Sequence, residues 1–307
     1  MKHKSPKILC ATLSAITLST CVIVPSSINS PFTATPIVTS LCAEAASSYQ
    51  GVVIASTLNV RSGPGTNYTK VGSLGRQTVV TIVETKNGWG RIGKNRWVSL
   101  DYICKRVLYV AGSGVNVRTG PGTSFPKKGT KSNGDQITVK DVRDGWIQMT
   151  NGLWISRDYT FDYPSAVTKQ QFILICNCVA HEASWDEISI KEKATVVEVI
   201  FNRVNSKDFP NSIYGVISQS GAFDGASKYK DLENFSSEVN ANVIKGALYY
   251  FNNKSSFNHG YYFFCDYKGH NYFSTTHPKD GGGWVTYTCP GVGTHRFKSV
   301  NGHQVPE

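Results

Sequence analysis

A tandem repeat constrains this chain more than any other feature. Leu58-Asn-Val-Arg-Ser-Gly-Pro-Gly-Thr-Asn-Tyr68 returns as Val115-Asn-Val-Arg-Thr-Gly-Pro-Gly-Thr-Ser-Phe125. Every matched position lies 57 residues on, as from Val60 to Val117. The same offset carries Gly88-Trp89 to Gly145-Trp146, Trp97 to Trp154, and Asp101-Tyr102 to Asp158-Tyr159. An ungapped duplication makes each copy one structural unit. Within a copy, β-rich runs such as Val79-Val-Thr-Ile-Val83 and Ile137-Thr-Val-Lys-Asp-Val142 are separated by Gly, Pro and Asn turns. That is the pattern of a small all-β barrel.

The NVRSGPG and NVRTGPG motifs, each followed by Gly-Trp and a closing Trp, resemble bacterial SH3 (SH3b) domains over residues 50–104 and 107–160. The resemblance implies modules that bind cell-wall peptide or glycan and hold an attached enzyme on its polymer. Such attachment raises the effective concentration of an insoluble substrate, and two modules add avidity where geometry permits. Core packing is the default reading for Trp89, Trp97, Trp146 and Trp154, and Arg61 and Arg118 are expected to brace the Gly-Pro-Gly turns.

Beyond the repeats, the run from Cys178 to Val204 reads as two helices meeting at one carboxylate. Phe172, Ile175, Cys176, Val179 and Ala183 recur at three- and four-residue steps, and Glu182 sits where that helix should end. Ser189-Ile190-Lys191-Glu192 reads as a capping box, and Ile190, Ala194, Val197, Phe201 and Val204 as the apolar stripe of a second helix. Asn202 and Arg203 close it, as caps, as partners of a carboxylate or, for Asn202, as part of a cleft wall. Glu182 has apolar neighbours in Val179, Ala180, Ala183 and Trp185. Partial burial of that kind raises a carboxyl pKa, which suits a general acid working near neutrality. A third helix is expected from Ser236 to Asn253, and Gly246 within it permits close packing. The remaining tail is dense in aromatics, Tyr272 and Phe273 among them. Core packing is their default role, although flat rings also suit the apolar faces of sugars.

VAHEASWDE, the following EVIFNRV and then FPNSIYGVISQSGAF (209–223) resemble the SleB-type cell-wall hydrolase family, well over Thr168–Asn252 and more loosely to Phe297. The resemblance implies a lysozyme-like domain that cleaves peptidoglycan glycan strands, typically as a lytic transglycosylase, with Glu182 as the catalytic acid and base. It also implies that Gln219 and Phe223 belong to a sugar-contacting wall, with Asn202 and Tyr272 as further substrate-binding candidates. His181 and the longer Ser184–Ser189 segment depart from the family pattern and alter the cleft edge. The expected fold is multidomain: two small all-β SH3-like barrels, then a mainly helical α+β lysozyme-like domain over 165–307.

Rival chemistries are weaker in the residues. A hydrolytic muramidase needs a second acid, for which Asp186, Glu187, Glu198 and Asp224 are the candidates. A cysteine peptidase lacks a nucleophile motif around Cys176, Cys178 or Cys265. A zinc peptidase lacks a ligand, because Trp185 stands where H-E-x-x-H needs its second His. A non-catalytic wall adhesin remains a separate class. No metal and no cofactor is expected.

The first 45 residues carry Lys2, Lys4 and Lys7, an apolar run from Ile8 to Val24 and a small-residue site at Ala43-Glu44-Ala45. That is the pattern of a secretory signal peptide, leaving no stable membrane span after cleavage. Five cysteines then remain, Cys104, Cys176, Cys178, Cys265 and Cys289, an odd set with a Cys265–Cys289 pairing left open. The net charge of +11 is uneven: residues 44–160 hold sixteen Lys and Arg against seven acids, while 161–307 hold thirteen against fourteen. A basic middle suits peptidoglycan and anionic wall polymers as partners. Nucleic acid is not expected, since the basic residues show no recognition-helix pattern.

Overall fold

The duplicated sequence builds two related β-domains. The computed structural model describes residues 48–183, 185–219, 223 and 233–307; the leader, Ser184 and Asp224 lie outside them. In the first copy, strand Tyr49–Val53 pairs with Val79–Ile82 and Ile103–Lys105. A second, five-stranded antiparallel sheet runs in the order 70–75, 57–61, 96–99, 89–93, 84–86. In the second copy the long strand Gln136–Arg143 joins both layers, so seven strands form one sheet. The buried cores correspond position by position. Val53, Leu58, Val60, Val80, Ile82 and Val98 become Val110, Val115, Val117, Ile137, Val139 and Ile155. Alternation along each strand puts these on the inner face.

The repeated motif is a brace. Arg61 Nη1 donates to the Tyr68 carbonyl at 2.8 Å, and Arg118 Nη1 to the Phe125 carbonyl at 2.8 Å. The same aromatic ring lies flat on the turn glycine. A Cβ at Gly63 would sit 2.3 Å from the Tyr68 ring, and one at Gly120 would sit 2.3 Å from Phe125, so neither position admits a side chain. Trp97 and Trp154 are buried, whereas Trp89 and Trp146 are half-buried.

Among the described residues, the C-terminal part packs four α-helices beside a five-stranded sheet. Helix α1 (Lys169–Ala183) opens on Thr168, whose hydroxyl accepts from Gln171 N while Gln171 Oε1 accepts from Thr168 N. Helix α2 (Ile190–Val204) carries the Ser189/Glu192 capping box. It is buried on all sides from Glu192 to Ile200, because α1, α3 (Ile213–Ile217) and α4 (Ala241–Asn252) surround it. Gly246 lets α4 approach: a Cβ there would lie 2.4 Å from the Lys193 Cβ.

The third helix is shorter than its periodicity suggests. Asn240 caps α4 by accepting from Val243 N, and Ser236 N instead donates to Asn177 Oδ1 at 2.8 Å. The aromatic tail folds as an antiparallel meander of strands Phe263–Tyr267, His270–Ser274, Val285–Cys289, Gly293–Val300 and His303–Pro306. It has its own core of Tyr272, Tyr287, Cys289 and Phe297. All five described cysteines are free. Strand 270–274 separates Cys265 from Cys289, so they stand roughly 9–10 Å apart, against at most ~6.8 Å between Cα atoms in a disulfide.

The second β-domain and the helices share one core. Ala111 and Phe161 belong to the cluster formed by α1, α2 and α4, and the Phe161 and Phe172 ring centroids are 5.8 Å apart. Asn133 Nδ2 donates to the Val239 carbonyl at 2.6 Å. Residues Ala46–Glu307 accordingly form one compact unit.

Candidate active site

Glu182 lies in the last turn of α1, half-buried, on the wall of a cavity of about 760 Å³. Its place is fixed by backbone. Asn271, buried on strand 270–274, donates through Nδ2 to the Glu182 carbonyl at 2.9 Å. The same residue's N–H donates to Glu192 Oε1 at 3.1 Å, so one asparagine ties the end of α1 to the start of α2. The loop after Glu182 is pinned by Lys193, whose buried ammonium donates to the Trp185 and Ile188 carbonyls, each at 2.8 Å. Burial pulls the Lys193 pKa below its ordinary value, with Glu192, Asp186 and Glu187 opposing that shift.

Helix α2 brings Arg203 to the same cavity. Its guanidinium carbon lies 5.1, 5.2 and 5.6 Å from the ring centroids of Phe209, Phe223 and Phe263. Nε donates to the Tyr262 carbonyl at 2.8 Å, while Nη1 has no hydrogen-bond partner among the described residues. A cation held over aromatic faces and largely desolvated acts strongly on any charge admitted to the cavity. Gln219 reaches the wall from beyond α3, and its Oε1 also has no partner among the described residues. The opposite side comes from the sheet and its end: Phe263, Phe264, Cys265, Asp266, His277 and His303.

Of the residues singled out from sequence, Glu182 and Gln219 thus line one cavity. The other three do not line it. Phe223 is buried and packs on Phe264 and Arg203. Asn202 Nδ2 donates to the Tyr261 carbonyl at 2.8 Å, clamping α2 to the segment before the sheet. Tyr272 is spent in the sheet's own core, against Tyr267 and Phe297. A cleft position was expected of it, but strand alternation turns its ring to the face covered by Tyr287 and Phe297.

The described candidate second acids, Asp186, Glu187 and Glu198, do not line this cavity. Asp186 is exposed and accepts from Asn242 Nδ2 at 3.1 Å, and Glu187 is exposed. Glu198 is fully buried with both oxygens held by His259, through N and Nδ1, at 2.8 Å each. Asp224 lies outside the described residues. Among the described residues, Asp266 is the second carboxylate on the cavity wall, and it is exposed. The thiols are unsuited to nucleophilic attack: burial pushes Cys178 well above its ordinary pKa, and pushes Cys265 up to about 12.

Two cavity features were missed from sequence. Trp185, 69% exposed, stands free at the rim, whereas its sequence context suggested only an apolar neighbour of Glu182. Arg203 was read as a helix-end residue. Its signal was periodicity: Val196, Val199 and Ile200 lie on its face of α2, so a cation was being sent into a buried surface.

Comparison with known proteins agrees with this division. A family model described as Bacterial SH3 domain matches residues 56–103 and 113–160, and one described as Cell Wall Hydrolase matches 189–281. A Bacillus subtilis (strain 168) protein named "Putative N-acetylmuramoyl-L-alanine amidase YrvJ" is 28% identical over 129 residues, 36% of this chain. The chain spans only 25% of that relative's length. Among solved structures, NlpC2 from Trichomonas vaginalis is 18% identical over 44% of this chain and 56% of its own, with a TM-score of 0.19. The structure titled Endolysin LysPBC5 CBD is 13% identical over 37% of this chain and 91% of its own, with a TM-score of 0.18. Scores that low transfer no fold. The family matches do assign the parts: the chain carries two bacterial SH3 domains followed by a cell wall hydrolase domain.

Proposed function

We propose that this protein is an exported, wall-associated enzyme that cuts the glycan strand of peptidoglycan as a SleB-type lytic transglycosylase. In this reading residues 1–45 are the signal peptide, 50–104 and 107–160 the wall-binding modules, and 165–307 a lysozyme-like catalytic domain. Peptidoglycan is the substrate, and anionic wall polymers are further partners of the basic modules. The observation that carries the reading is Glu182, half-buried at a helix end on a cavity wall with Gln219, while Asp186, Glu187 and Glu198 do not line that cavity. Among the described residues, no helix is long and apolar enough to cross a membrane.

Glu182 protonates the oxygen between N-acetylmuramic acid and N-acetylglucosamine, and the C1–O bond breaks. The muramyl 6-hydroxyl then attacks C1 and returns its proton to the Glu182 carboxylate. A 1,6-anhydro ring forms, and no water or second carboxylate is consumed. General acid–base catalysis of this kind contributes ~10²–10⁴ in rate. Gln219 offers donor and acceptor to an N-acetyl group. Asn202 and Phe223 act by holding the walls.

A second reading is an amidase that separates the muramyl unit from its peptide. The relative's name favours it, as do the three histidines on the cavity wall, His181, His277 and His303. Mass spectrometry of digested peptidoglycan separates the readings. The transglycosylase gives muropeptides one water lighter than hydrolysis products, and Glu182→Gln lowers their yield at least ~10²-fold while wall binding is kept. Intact glycan strands with released peptides would instead establish the amidase. Binding without any product would leave a wall adhesin.

A further inference from the structure

Beside the cavity, but not among the residues that line it, three elements bring together a carboxylate, an imidazole and a thiol. Glu192 comes from the first turn of α2, His270 from the start of strand 270–274, and Cys289 from the end of strand 285–289. One ligand atom from each lies within 4.8 Å of the other two. Glu192 and Cys289 are each only 1% exposed, while the His270 side chain is 31% exposed. We propose that Glu192, His270 and Cys289 form a structural binding site for a borderline-soft divalent cation of the zinc class.

The donor set selects that class. Thiolate and imidazole exclude calcium and magnesium, which take oxygen, while sulfur, nitrogen and carboxylate together suit zinc or cobalt. Around tetrahedral zinc, bonds of ~2.0–2.3 Å put ligand atoms roughly 3.3–3.8 Å apart, so a small contraction closes the site. His270 Nδ1 already lies 3.3 and 3.4 Å from the two Glu192 oxygens.

The outer contacts are those of a held ligand set. Ser189 N donates to Glu192 Oε2 at 3.2 Å and Asn271 N to Oε1 at 3.1 Å, which fixes the carboxylate and leaves each oxygen a further lone pair. His270 follows a tight turn in which Lys268 and Gly269 both have positive φ, so its backbone is set as well. Partial exposure of His270 gives the cation a way in. Binding displaces the Cys289 thiol proton to solvent, and two protein anions face the divalent charge. The metal would lock the α2 N-terminus to two strands at the residue beside Asn271, which holds the Glu182 carbonyl. It takes no part in the transglycosylase reaction, and the site stands whether or not that reaction is right.

The test uses the full chain, stripped with chelator and titrated with cobalt chloride and then zinc chloride. Expected are one equivalent of cobalt with a thiolate charge-transfer band, its displacement by zinc, and a melting temperature raised by about 5–10 °C at zinc one hundredfold above Kd. Cys289→Ser removes the band and Cys265→Ser keeps it. If Cys289→Ser does not fold, His270→Ala, at a partly exposed position, weakens zinc at least about tenfold. A natively folded wild type with no band overturns the proposal. So does a band that survives in Cys289→Ser but vanishes in Cys265→Ser, which would put the cation in the cavity.

Discussion

Each SH3 copy docks onto its C-terminal neighbour through the same positions, but the two junctions differ in chemistry. In the first copy, Ile54 and Cys104 pack into the core of the second. Their equivalents 57 residues on, Ala111 and Phe161, belong to the core of the hydrolase domain. Arg76 and Gln77 of the first copy hold Asp141 of the second, with Arg76 Nε at 2.8 Å from Oδ1. Their equivalents, Asn133 and Gly134, meet Val239 and Phe235 of the hydrolase domain. One junction is therefore an ionic clasp around a fully buried carboxylate, and the other is an aromatic core closed by an amide. The two copies thus use one set of docking positions, and the residues that differ between them set how each junction holds. The SH3 copies are not on a loose tether but belong to one compact unit with the cavity, so any avidity they add under the proposed function depends on a fixed spacing from it.

The largest expected effect lies at the aromatic junction. Phe161→Ala should cost about 3–5 kcal/mol, since a fully packed ring leaves a cavity, and the second copy and the hydrolase domain should lose stability together. Cys104→Ala, the same position in the first copy, should cost only about 1 kcal/mol. Calorimetric melts of both variants check the contrast, and equal losses would break it.

Next comes the ionic junction. Asp141→Ala leaves Arg76 and Arg143 facing each other, half-exposed, and should cost about 2–3 kcal/mol. Burial raises the Asp141 pKa, but hydrogen bonds from Arg143, Gln77 and Val142 N and the charge of Arg76 outweigh it, leaving the carboxyl below its ordinary value. A depressed carboxyl stabilises above its unfolded pKa of about 3.9, and the contribution is lost as pH falls through the folded value. The melting gap between wild type and Asp141→Asn should therefore be full at pH 7 and close below about pH 4. The aromatic junction should show no such loss.

The smallest effect is Asn133→Ala. It removes the bond to Val239 and the acceptor for Gly112 N, about 1–2 kcal/mol together. Denaturant melts should place it below Asp141→Ala, and a loss exceeding that of Phe161→Ala would show that the amide, not the aromatic core, holds the second junction.

Local patterns made much of this legible in advance. The duplicated cores, the Arg61 and Arg118 braces, the Ser189 capping box and the end of α1 at Glu182 all rest on contacts within a few residues or on a repeated register. The C-terminal meander was not legible, because its turns, such as Lys268-Gly269, sit among aromatics with no strict alternation. Tyr272 was misplaced for that reason. Trp185 was passed over because a Trp in a loop has no local mark of facing a cavity, and Arg203 because its buried-face periodicity marks burial but not what the buried cation faces.

The sequence by itself determined the repeat, its barrel cores, two helices and the carboxylate between them. Periodicity and capping act over a turn or two, where chain neighbours are also spatial neighbours. Only the tertiary structure decided that the sheet would close the cavity, that Glu198 would be taken by His259, and that Glu192 would meet His270 and Cys289. The Glu198 and Glu192 pairings join residues 61 to 97 positions apart, and no local pattern encodes which distant partner a buried polar group will find.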